Sequence, residues 1–172
     1  MPDSDPDDNL PMNTSDLGDT LPALFTELVD GAGQDEAYTL NRADPGLLRS
    51  LDKLSATAAS AITRTGSSIA AHVDHLRYSL ALMNRWSAGE SPFETADWSA
   101  SWKKTRVTAA QWRQLRDDLG DEAHRWQENL KKPRELDQSE LNSVAGSIVH
   151  LAYHVGAIRQ IDLTARGPAA ND

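Results

Sequence analysis

Apolar residues recur at helical spacing in four long stretches of this chain, and strand-like alternation is nowhere sustained. The first stretch opens near Thr20, with Pro22 in its first turn and Leu21, Leu24, Phe25 and Leu28 on one face; Gly31 and Gly33 end it. The second starts near Ser67 or Ser68, runs to about Ser87, and carries Ile69, Val73, Leu76, Leu80 and Met83 as its stripe. Thr108-Ala-Ala-Gln111 has the spacing of a capping box, and the helix behind it holds Trp112, Leu115, Leu119, Trp126 and Leu130 as far as the stop at Pro133. Asp137-Gln-Ser-Glu140 resembles a cap for the last helix, which is expected to run to about Ala165 around a stripe of Val144, Ile148, Leu151 and Val155. Each such helix must bury one face, so an all-α four-helix bundle is the economical architecture. A length of 172 residues suits one domain with a real core.

The connections carry information of their own. A polar stretch from Gln34 to Ala43 leads to Asp44-Pro45, a cap-plus-proline start for a short helix through Leu47, Leu48, Leu51 and Leu54; Ser55 to Thr65 reads as a loosely helical connector. Residues 86–106 (WSAGESPFETADWSASWKKTR) show no period, yet hold three Trp and a Phe. A loop with that much aromatic surface folds back over something. It is either a crossover packed on the bundle or a lid over a pocket.

The charge is unevenly placed. Of the 26 acidic residues behind the net charge of −9, six lie in the first 19 positions, which hold no Lys or Arg, leaving 20 acids against 17 bases elsewhere. Residues 1–16 are therefore expected to form a disordered acidic tail, 17–166 the folded domain and 167–172 a flexible C-terminal tail. Neither part shows a basic stripe, which disfavours nucleic acid as a partner. No stretch approaches the ~20 apolar residues of a membrane span, and the N-terminus lacks the basic and apolar regions of a signal peptide. A cytoplasmic protein with no membrane partner is the expectation. Cysteine is absent, so the chain has no thiolate ligand, no cysteine nucleophile and no disulfide.

Histidines carry what the chain says about chemistry. His150 and His154 stand four apart, just over one helical turn, and project from nearly the same face. Two imidazoles so placed can bind one transition metal, and a third from a neighbouring helix leaves positions open for water or substrate. A zinc-protease reading fails, because Leu151 stands where the general-base Glu of HExxH would be. On the second long helix the apolar arc also takes in Leu82 and Trp86, and both His72 and His75 fall inside it; the wheel does not choose between them. On the last helix, His150 and His154 lie on the flank of the stripe, roughly 90–130° from its centre. That places the site at a groove between helices rather than on the bundle axis. His124 lies away from its helix's stripe and reads as a surface residue, and Tyr153 points about 100° away from His154.

SIAAHVDHLRYSLALMN (68–84), with HLAYHVGAIRQI (150–161) late in the chain, resembles the DinB-like (DNA-damage-inducible B) family of metal-binding four-helix bundles. The shared elements are Ser68-Ile69, His75-Leu76, His150 and His154, Gly156 and Ile158-Arg159, over roughly residues 17–165. The resemblance implies an up-up-down-down bundle with a long crossover and a divalent metal (Zn, Ni, Mn or Fe) held by His75, His150 and His154. It also implies homodimers. Similar proteins of known activity include thiol-dependent transferases and isomerases, in which the metal activates the thiol of a small cofactor. The expected function is thus a metal-dependent enzyme acting on a small molecule, a low-molecular-weight-thiol transferase or a hydrolase. His72, one turn from His75, is the candidate for a nearby acid–base or supporting role. The rival readings are a non-catalytic bundle that binds a metal or small apolar ligand, and a purely structural bundle.

Overall fold

The computed structural model describes residues 17–64 and 66–169, so the expected acidic tail, 1–16, lies outside the described residues. Within them all regular structure is helical. The helices are α1 (Leu17–Asp30), α2 (Gly46–Asp52), α3 (Ala56–Ala59), α4 (Ile69–Ser87), α5 (Ala109–Leu130) and α6 (Gln138–Ile161), with short 3-10 turns at Pro92–Thr95, Ala100–Trp102 and Leu163–Ala165. None of these helices is long and apolar enough to cross a membrane.

Local chemistry sets the ends of the long helices. Thr108 and Gln111 form a reciprocal capping box at α5, and Asp137 and Glu140 another at α6. Ser68 caps α4 through the backbone N–H of Ala71. Its hydroxyl also donates to the carbonyl of Thr105 at 2.8 Å, fastening the end of the crossover to the start of α4. Ser68→Ala removes both bonds at a site that is fully buried, and is expected to cost about 1–2 kcal/mol in urea unfolding. Two ends differ from expectation: α1 begins at Leu17, ahead of Thr20, and α6 stops at Ile161, where Asp162 turns extended and caps the 3-10 turn up to Ala165.

Phe25, Leu28, Leu76, Leu80, Leu119, Trp126, Leu151 and Ile158 fill the core between α1, α4, α5 and α6. The helix directions correct the expected order. Asn84 of α4 meets Glu122 and Asn129 of α5, while Ser68 reaches Thr105 just ahead of α5, so α4 and α5 run parallel. His72 and His75 meet His154 and His150, making α6 antiparallel to α4. Thr26 and Asp30 of α1 meet Gln127 and His124 of α5, again antiparallel. The bundle is therefore up-down-down-up, rather than up-up-down-down. The long crossover remains, because two parallel neighbours cannot be joined by a tight turn: α4, at 19 residues, is ~28 Å long, and residues 88–108 must return over that length.

A second fastening closes the other side of the bundle. Asp44 does not simply start α2; its carboxylate accepts the N–H of Gly46 and pairs in two-pronged fashion with the guanidinium of Arg159, at 2.7 and 2.9 Å. Gly167 packs so closely on this carboxylate that a Cβ there would collide with it, and Asn41 donates to the carbonyl of Pro168. The first residues of the expected flexible tail are thus held against the fold. Gly46, at φ +76°, lies against the backbone of Val29–Gly31, where no side chain fits. In the polar connection after α1, Glu27 accepts the N–H groups of Tyr38, Thr39 and Leu40. Burial alone would raise its pKa, but these bonds together hold it below the usual carboxylate value.

Candidate metal centre

Two helices bring the four histidines of interest together. His72 and His75 lie near the start of α4, and His150 and His154 lie in the second half of antiparallel α6, directly across from them. His150 Nε2 stands 3.0 Å from His75 Nε2 and 3.0 Å from His154 Nε2. Each of His75, His150 and His154 offers one ligand atom, and the three atoms all lie within 4.8 Å of one another. Imidazole nitrogens bound at ~2.0–2.1 Å to one ion come to about 3 Å apart. The donor set therefore fits a transition metal held by three Nε2 atoms.

The opposite ring nitrogens are also engaged. His75 Nδ1 is 2.8 Å from Ser101 Oγ, His150 Nδ1 is 3.3 Å from Ser79 Oγ, and His154 Nδ1 is 2.8 Å from His72 Nδ1. Such partners set which way each ring faces. Burial pushes all four imidazoles toward the neutral form that a metal requires. His75 falls to about 4 and His154 to about 3, burial being the main cause, with the neighbouring imidazoles adding to it.

The crossover decides the burial. Trp102 stacks on His75 at 4.4 Å between ring centroids, meets His72 edge-on at 5.1 Å and lies 5.7 Å from His154. Both readings of residues 86–106 therefore describe one feature, a crossover packed on the bundle that also roofs the histidines. His154, expected on a flank outside the apolar stripe, is only 1 % exposed because this roof covers that flank. His150 is half-buried and faces a cleft of ≈ 360 Å³, walled by His75, Ser79, Met83, Phe93, Trp98, Ser143, Gly146 and Ser147. Among the described residues that wall carries no Asp, Glu, Lys or Arg. A larger cavity, ≈ 710 Å³, lies between Leu21, Trp126, Leu130 and Val144 and has no histidine among the described residues of its wall.

A family model of the DinB superfamily matches residues 20–157. The chain belongs to the DinB superfamily. No curated protein and no solved structure matches it. The matched span takes in His75, His150 and His154, and the all-helical fold agrees with a DinB-like bundle. His72, in contrast, does not line the cleft; its Nδ1 is spent on His154. His124 is exposed and pairs with Asp30, far from the cluster in the contact pattern. Tyr153 is 68 % exposed on the outer side of α6. Sequence reasoning missed Ser79, Ser101 and Trp102. The aromatic richness of residues 86–106 signalled that the segment covers something, but no spacing rule tied Ser101 or Trp102 to a particular histidine.

Proposed function

We propose that this DinB superfamily protein is a metal-dependent enzyme acting on a small molecule, as a low-molecular-weight-thiol transferase or a hydrolase. One observation carries the reading: three neutral imidazoles converge through Nε2 at the side of a cleft large enough for a substrate. His75, His150 and His154 would hold one divalent ion, and neutral nitrogen donors suit Zn, Ni or Fe, with Mn also open. Such an ion acidifies a thiol or a water molecule and polarises an electrophile. With no cysteine in the chain, the thiol must arrive with a small molecule.

The residues around the ligands divide the remaining work. Trp102 and Trp98, both stacked or tilted against His75, keep water from that side of the cluster. Met83, Phe93 and Trp98 give the cleft an apolar wall, and Ser79, Ser143 and Ser147 give it hydroxyls, so the portion of substrate it favours is uncharged. His72 acts through His154: as His154 presents Nε2 to an ion, its Nδ1–H donates to His72 Nδ1, which sets the ring's orientation. A direct acid–base role for His72 on substrate is not favoured by this placement.

The test is a screen of metal-reconstituted protein against thiols paired with electrophiles and against neutral and carboxylate-bearing esters. Turnover is expected with an uncharged substrate, and is expected to vanish with chelator and return with metal. Saturable binding of ligands without any metal-dependent turnover would favour the non-catalytic binder instead.

A further inference from the structure

The three proposed ligands are supported unequally. His150 meets Ser79, whose hydroxyl has no other partner among the described residues and can donate or accept. Ser101 has no such freedom. Its Oγ lies 2.7 Å from the carbonyl oxygen of Trp98, and a carbonyl can only accept, so the hydroxyl proton of Ser101 is committed to that bond. The other short contact of the same oxygen, 2.8 Å to His75 Nδ1, then requires the imidazole to be the donor. A neutral imidazole with its proton on Nδ1 has its lone pair on Nε2, the nitrogen turned toward His150.

We propose that Ser101 is a positioning residue that locks His75 in the Nδ1–H tautomer, so that Nε2 is free to bind a metal, and that this bond ties the metal centre to the crossover. Ser101 is buried, and the crossover around it is pinned along α4 at several points. Asp97 N–H donates to Tyr78 OH at 2.9 Å, Lys104 pairs with Asp74 at 3.1 Å, and Ser68 holds Thr105. Trp98, whose carbonyl orients Ser101, is itself part of the cleft wall. The serine that prepares one proposed ligand is therefore held by the backbone of a residue that lines the cleft. A displaced crossover would release the tautomer, and a bound ion would favour the closed crossover by the same coupling.

The metal-binding part rests on the function proposed above, but the tautomer can be read without any metal. The experiment is nitrogen-15 NMR of the histidine rings in the full chain, freed of metal by chelation, at neutral pH, beside Ser101→Ala and Ser101→Thr. The native His75 is expected to show a protonated Nδ1 and an unprotonated Nε2. Ser101→Ala should move the proton toward Nε2, and Ser101→Thr, which keeps the hydroxyl, should restore the native pattern. Zinc affinity, measured by competition with a chelating dye, should fall ~10–100-fold in Ser101→Ala and recover in Ser101→Thr. A native His75 protonated on Nε2, or a Ser101→Ala protein with unchanged tautomer and zinc affinity, would overturn the proposal. If the tautomer shifts as expected while zinc binds none of the three proteins, the positioning role of Ser101 stands and the metal-centre reading is the one that fails.

Discussion

Purified without a polyhistidine tag, the protein is expected to carry about one equivalent of a transition metal, with His75→Ala and His154→Ala carrying essentially none. The reason is convergence rather than histidine content. His150 Nε2 already sits 3.0 Å from both His75 Nε2 and His154 Nε2, as a shared ion requires, and the rings are pushed toward the neutral form by burial and oriented from behind by Ser101, Ser79 and His72. Removing one donor leaves two imidazoles, too few to hold the ion stably, a loss of more than ~100-fold in affinity, since losing even a supporting partner costs 10–100-fold. His124→Ala is the control, because that ring pairs with Asp30 at the surface and should leave the metal content intact. Elemental analysis decides the matter, and a thermal melt with and without chelator gives a second reading. An ion at 100 times its Kd stabilises the fold by about 2.7 kcal/mol, an increment that should disappear in the two ligand variants. Native protein without metal even after reconstitution, or equal loss in His124→Ala, would remove the site and with it the enzyme reading.

The largest loss of stability outside the core is expected at the Asp44–Arg159 pair. Asp44 is 3 % exposed and Arg159 donates to both of its oxygens, while the Nε of Arg159 has no partner among the described residues. Truncating Arg159 leaves the Asp44 carboxylate buried with too few partners, which costs about 3–5 kcal/mol, whereas truncating Asp44 strands a half-buried guanidinium and costs less. In a chain of this size that lowers the melting temperature on the order of 10 °C. The mechanism makes a sharper demand than simple destabilisation: the double variant Asp44→Ala/Arg159→Met should lose less than the worse single variant, because it strands no charge. Urea unfolding of the three proteins measures this. Additive losses in the double variant would show that the pair acts through packing, with no charge penalty. The consequence reaches the site, because Arg159 lies on α6 beyond His154 and fixes that end of the helix against the α1–α2 connection and the C-terminal residues.

Much of this architecture was legible residue by residue. The capping boxes at Thr108/Gln111 and Asp137/Glu140 formed where their spacing placed them, because a cap depends on four consecutive residues and on nothing distant. The His150/His154 pair was legible for the same reason: a turn of helix sets its geometry, and the match to the DinB superfamily agrees with the resemblance those motifs carry. Asp44 illustrates the boundary. Its role beside Pro45 and Gly46 could be read locally, but its bond to Arg159 joins positions 115 residues apart and has no local signature.

The sequence by itself determined that the protein is helical, where its long helices lie, and which histidines stand at ligand spacing. Those properties follow from apolar period, caps and the helical repeat, all of which act within a few residues. Only the tertiary structure decided that α4 and α5 run parallel, that His72 meets His154 instead of lining the cleft, and that Ser101 and Trp102 pack on the histidine cluster. The physical reason is that the crossover has no period of its own. Its Trp and Ser side chains take their places only against a surface that α4 and α6 create together, so their partners are set by packing across the fold and cannot be read from the segment alone.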